Sequence, residues 1–242
     1  MALTITFRGT YSWWCYDKYC KMESTCPPKT VDVPLKGEWK CFSLPGHHPY
    51  ALDFAGLLAD KSQVCRGGLL RYAVSSVPVS DWHGWSRPIV SPCDGVVRRV
   101  GDFWPDRTHV NFFRELFSAY LQSFRFRPDL GDPNIDLRPN IGNFVMIQSG
   151  SGFVALLAHL RAGSVKVQLG QRVRAGQVLG ELGCSGNSTA PHLHFNLFDQ
   201  VDDLFKTQIV PFRFHRFERW NKTHWEVFEN TLPRNGDRIR VL

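Results

Sequence analysis

The sequence predicts a mainly β protein, an antiparallel sheet with one inserted amphipathic helix near residues 108–124. Three observations predict it. Short apolar runs recur along the 242 residues and are broken by 20 Gly and 15 Pro, the punctuation of strands joined by turns. The segment Gly163–Gly183 alternates Val165–Leu169, Arg172–Arg174 and Val178–Leu182 with Gly-Gln and Ala-Gly-Gln turns, the pattern of a β-hairpin. Between Gly101 and Ile141, Phe112, Phe113, Leu116, Phe117, Tyr120, Leu121 and Phe124 recur at helical spacing with polar residues between them.

Taken in order, residues 1–40 form an extension rich in cysteine and aromatic residues, with Trp13, Trp14, Tyr16 and Tyr19 beside Cys15, Cys20 and Cys26. Pro34–Phe42 reads as a strand leading into Gly46–Ala55. Residues 42–200 form the core, interrupted by an insertion at 101–141 whose helix takes Asp106 or Thr108 as N-cap. Pro128 and Pro133 mark the loop after it. The helix is expected to dock its apolar stripe on the sheet edge; a groove wall or partner-binding face is the sharper alternative. Residues 201–242 are a C-terminal extension, in which Val210–Asn221 alternates apolar and basic residues as a strand does. The length suits one domain, 1–242, and neither a second domain nor an internal repeat is visible.

The chemistry concentrates in Gly183–Phe195, G-C-S-G-N-S-T-A-P-H-L-H-F. His192 and His194 are two apart, so on a strand both imidazoles look into one space while Leu193 and Phe195 face the core. Histidine is both the commonest metal ligand and the usual proton carrier near neutral pH. The turn residues Gly183, Gly186, Asn187, Ser188 and Pro191 deliver the strand abruptly. Upstream, Gly46–Ala55 (G-H-H-P-Y-A-L-D-F-A) holds His47, His48 and Asp53 among apolar residues. A carboxylate there needs a positive partner, and zinc bound by Asp53 and histidines, with one position left for water, meets that need. His159 ends the apolar run Val154–Leu160 and adds a second proton handler or oxyanion stabiliser.

These motifs resemble the lysostaphin/LytM-type zinc endopeptidases, the glycyl-glycine or peptidoglycan DD-metalloendopeptidase family. The stretches that carry the resemblance are H-H-P-Y-A-L-D-F-A, then R-P-I-V-S-P-C-D-G-V-V (Arg87–Val97), then Gly142–Gln148 with Leu156–Leu160, then Val167–Phe195, in the family's order and spacing. The first forty residues, 101–141 and the end after Leu197 are not covered. The resemblance implies a groove across one sheet face, zinc held by Asp53, His194 and His48 or His47, and His159 and His192 as catalytic groups. It also implies hydrolysis of peptide bonds in peptidoglycan. The commonest family spacing is H-x-x-x-D. His48 departs from it by one residue and His47 by two; His48 needs the smaller adjustment, and His47 shares strand parity with Asp53.

The net charge of +7 suits an anionic polymer such as cell wall. No basic run or nucleic-acid motif is present, so nucleic acid is not an expected partner. No stretch reaches the ~18–20 apolar residues of a membrane span, so no stable membrane insertion is expected. The start lacks the pattern of a secretory signal, and the substrate lies in the periplasm or outside the cell. Three resolutions are open: a removed signal, an intracellular role, or export by a machine that reads another address, as for an injected antibacterial effector with delivery or immunity partners. The seven cysteines are an odd number, read as free or partly paired thiols, with Cys184 the one nearest the site. Two alternatives stand beside this reading: a zinc peptidase acting on proteins, and an inactive wall-binding or activator module.

Overall fold

A computed structural model describes residues 27–43, 48–58, 62–125, 135–202 and 207–242. The N-terminal cysteine and aromatic cluster and His47 lie outside the described residues. The early strands are β1 (Lys29–Val31), β2 (Gly37–Phe42), β3 (Ala51–Gly56), β4 (Val77–Pro78), β5 (Pro88–Val90), β6 (Gly95–Gly101) and β7 (His109–Val110). Then come β8 (Asn143–Ser149), β9 (Val154–Leu160), β10 (Arg172–Val173), β11 (Val178–Glu181) and β12 (Leu193–Phe198). The C-terminal strands are β13 (Phe212–Trp220), β14 (Trp225–Thr231) and β15 (Arg238–Val241). The helices are α1 (Gly68–Val74), α2 (Phe112–Arg125) and α3 (Arg138–Ile141).

Eleven strands form one sheet in the order β1-β13-β15-β2-β3-β12-β9-β8-β6-β10, with β14 added on β13. Its pairings are antiparallel except β1 with β13. Alternation sorts the residues. Leu52, Phe54, Leu157, Leu193 and Phe195 share one face and pack with Phe212 and Phe214 into the main core. The Phe195, Phe212 and Phe214 rings sit 5.2–5.8 Å apart. Burial of each contributes about 1.5–3 kcal/mol.

The opposite face carries two smaller clusters. One sets Phe144, Met146, Leu156 and Ala158 against Ile135, Leu137 and Ile141. The other sets Ala55 and Leu57 against Tyr72, Val79, Trp82 and Cys184. A row of paired residues, Phe42–Asp53–His194–Ala158–Phe144, crosses this face from one cluster to the other.

Three local expectations are corrected. The expected hairpin in Gly163–Gly183 does not form: β10 pairs with β6 and β11 with β5. The intervening turn is stitched to the Ser91 loop instead, through Gly176 N to Ser91 O (2.9 Å) and Ser91 N to Gln177 O (2.8 Å). The helix begins at Phe112, and Asn111 caps it, its Oδ1 accepting the Arg114 N–H at 3.2 Å. Thr108 precedes the short strand β7, and Asp106 serves the site loops instead. The apolar stripe of α2 does not dock into a core. Phe113 and Phe117 are exposed, while Glu115 and Ala119 are the buried positions, Glu115 because Arg107 and Arg114 pair with it at 2.5 and 2.7 Å.

Candidate active site

Asp53 and His194 are directly paired residues of β3 and β12, so their side chains leave the same face together. Asp53 is fully buried, and its Oδ1 lies 2.9 Å from His194 Nδ1 and 3.6 Å from His192 Nε2. His194 is held on both sides: its Nδ1 hydrogen-bonds Asp53 Oδ1 at 2.9 Å, and its Nε2 lies 3.2 Å from the Asn196 side-chain amide. An imidazole fixed by a side-chain partner on its far nitrogen is the usual outer-shell arrangement of a metal ligand. The donor set of carboxylate oxygen and imidazole nitrogen fits zinc.

His192 precedes β12 by one residue. Its Nδ1 donates to Ala190 O at 2.7 Å, with Ser188 Oγ at 3.1 Å, so Nε2 carries the lone pair and looks toward Asp53. The Phe42 ring lies 5.9 Å away and covers one side of the imidazole. Burial, foremost, pushes the His192 pKa below its ordinary value.

His159 reaches the site by an irregularity. Ala158 and Leu160 pair with Phe144 and Asn143, so His159 is the extra residue of a β-bulge, with φ at +64°. Regular alternation would place it with Ala155 and Leu157 in the main core. The bulge turns it to the other face, 4.7 Å from the His192 ring and 6.2 Å from His194. A left-handed conformation at a non-glycine residue is strained, and the surroundings hold it. Asn143 Nδ2 donates to Leu160 O at 2.9 Å, Ser185 Oγ donates to Leu160 O at 2.7 Å, and His159 Nδ1 donates to Ser185 O at 2.9 Å. Burial, then the neighbouring imidazoles, lower the His159 pKa well below its usual range, so the ring is neutral.

Asp106, from the insertion, ties the two histidine loops together. Its Oδ2 accepts the Ala162 N–H at 2.8 Å and its Oδ1 the Cys184 N–H at 2.7 Å. Arg107 and Tyr72 fasten the same loop, donating to Gly186 O at 2.6 Å and Thr189 O at 2.8 Å.

The structure thus brings Asp53, His194, His192 and His159 together. His48 lies in the turn before β3, where its Nδ1 accepts the Tyr50 N–H at 3.2 Å. Because Pro49 and Tyr50 form that turn, strand parity with Asp53 does not extend back to the histidine pair. Cys184 is fully buried, and burial pushes its thiol up to about 12, which leaves it unreactive. Sequence reasoning missed Asn196, Ser185, Asn143 and Asp106. Asn196 was findable, two residues beyond His194 on the same strand face; the other three act through loop contacts with no periodic signature.

Residues 134–204 match the model of Peptidase family M23. This stretch, less than a third of the chain, is similar to the M23 peptidases. It contains His159, His192 and His194, and Asp53 comes from the chain before it. Over 54 residues the chain is 48% identical to the DD-carboxypeptidase/endopeptidase Mpg of Neisseria meningitidis, covering 22% of this chain and 12% of that protein. Over 59 residues it is 41% identical to the peptidoglycan DD-endopeptidase ShyA of Vibrio cholerae, covering 24% of this chain and 13% of that protein. The chain's match therefore spans about an eighth of the length of these relatives. Among solved structures, the catalytic domain of lysostaphin from Staphylococcus simulans aligns at 18% identity and a TM-score of 0.34, over 69% of this chain and 77% of that one.

Proposed function

We propose that the chain is a zinc-dependent endopeptidase that hydrolyses peptide bonds in the stems or cross-bridges of bacterial peptidoglycan. One observation carries the reading: a fully buried carboxylate, Asp53, meets His194 at 2.9 Å with two further imidazoles beside them. The names of the relatives, an endopeptidase and a peptidoglycan endopeptidase, support the substrate class.

Asp53, His194 and one histidine of the His47/His48 pair would hold the metal. Zinc supplies Lewis acidity there, activating water near neutral pH and polarising the scissile carbonyl. The remaining work falls to the chain's own groups. His192 Nε2, bare because Nδ1 donates to Ala190, accepts the proton of the attacking water. His159 is likewise bare at Nε2 in its neutral form, since Nδ1 donates to Ser185 O. In that form it is a second proton acceptor beside His192. Phe42 and the Asn143–Ser185 network hold both rings in place.

Asp106 acts through these loops. Asp106→Ala is expected to lower kcat by roughly 10- to 100-fold by loosening His159 against His192. Zinc content should stay at the wild-type level. A drop in zinc, with kcat per bound metal unchanged, would contradict this.

The proposed site of action is periplasmic or extracellular wall. Expression in the bacterial cytoplasm, where no mature wall is met, should be tolerated. Fusion to a secretory leader should cause rounding and lysis, and the Asp53→Ala form should not. Equal harm in both compartments would favour a protein substrate.

A further inference from the structure

The C-terminal strands continue the face that carries the histidines. Trp225 of β14 pairs with Trp220 of β13. Carrying the register on from Glu218 opposite Arg240, Trp220 lies opposite Arg238 of β15. Arg238 pairs with Lys40 of β2, and Lys40 with Ala55 of β3. Two residues along, the neighbouring row is Phe42–Asp53–His194. Residues two apart on a strand share a face, so Trp225, Trp220, Arg238 and Lys40 stand on the same side of the sheet as Asp53. With strands about 4.8 Å apart, this row runs from about 10 to about 20 Å from the site.

The side chains form a built platform. The Trp220 and Trp225 rings are 5.4 Å apart and tilted. Arg238 lies 5.5 and 5.2 Å from their centroids, and Arg240 lies 4.4 Å from that of Trp225. Arg238 is bound in turn by Glu38, and Arg240 by Glu218 at 2.5 Å. Both tryptophans and Lys40 are part-exposed, as is Phe42, which links the platform to His192. At the rim, Arg216 pairs with Glu229 at 3.8 Å. The three arginines are thus matched by three carboxylates. Lys40 adds one further positive charge, so the net charge of the face is small and its pull on a polyanion weak. What remains is two part-exposed indoles flanked by fixed guanidinium and carboxylate groups, apolar area with a few placed polar contacts.

We propose that this platform is a carbohydrate subsite, where pyranose rings stack on Trp220 and Trp225 and hydroxyls bond to the arginine–glutamate pairs, so that a glycan strand is held across the sheet beside the hydrolytic site. The source of the glycan rests on the peptidoglycan reading; the binding itself does not.

The test uses the full chain and N-acetylglucosamine hexamer free of peptide, titrated by calorimetry. Saturable binding is expected, weakened roughly tenfold or more by Trp220→Ala or Trp225→Ala. Trp225→Phe, which keeps a ring, should recover most of it. Asp53→Ala should bind like wild type, so failure of the peptidase reading leaves this measurement intact. On an active enzyme, the tryptophan variants should raise KM for whole sacculi and leave kcat on a short peptide unchanged. No binding of the hexamer, or binding indifferent to both alanine variants, would overturn the proposal. Tight binding of a polyanion such as heparin in place of the hexamer would also overturn it.

Discussion

Asp53→Ala and His194→Ala are each expected to abolish bound zinc and hydrolysis together. The two residues are register partners on adjacent strands, and each presents one coordinating atom to the other at 2.9 Å. Removing either leaves at most two ligands of a catalytic set of three. It also leaves a buried carboxylate, or its imidazole, without its 2.9 Å partner. The measurement is zinc per chain in the purified variant, read beside turnover. A chelator applied to the wild type should reproduce the loss of activity, and added zinc should restore it. His48→Ala and His47→Ala, compared in the same assay, identify the third ligand. Full zinc in Asp53→Ala or His194→Ala would end the assignment.

His192→Ala and His159→Ala are expected to do the opposite: to keep zinc and lose turnover by about 10²- to 10⁴-fold, the usual contribution of a placed proton carrier. Each ring gives its Nδ1 to a backbone carbonyl, Ala190 O for His192 and Ser185 O for His159, and keeps Nε2 for the reaction. The two sit 4.7 Å apart, so they are expected to act as a unit, and the double variant should lose little more than the worse single one. If either variant emptied the site of metal, or if both kept wild-type rates, the division between ligand and proton carrier would be wrong.

The strands and the site neighbourhood were legible in the sequence because both follow local periodicity. The H-L-H spacing alone places His192 and His194 on one side of an extended chain; His194 lies on β12 and His192 immediately before it. Pro34–Phe42 and Val210–Asn221 read as strands, and β2 and β13 lie there. His159 was found as a candidate, but its route to the site was not legible. Parity assigns it to the core with Leu157, and only the bulge at φ +64° reverses it. A histidine in a core-facing position of an otherwise apolar strand was the available hint. The Gly163–Gly183 hairpin failed for the complementary reason. Its turn chemistry is correct, but partner choice was decided by the distant Ser91 loop. The helix of the insertion was recognised by its spacing, whereas its buried side was not. Glu115 is drawn inward by two arginines, and no periodic rule registers such a pair.

Peptidoglycan hydrolysis is tested by incubating the purified, zinc-loaded chain with bacterial sacculi and with a panel of folded and unfolded proteins, and identifying the products by mass spectrometry. New free amino and carboxyl termini within peptidoglycan stems or cross-bridges are expected, with intact glycan linkages and no such products from Asp53→Ala. Untouched sacculi alongside cleaved proteins would contradict it.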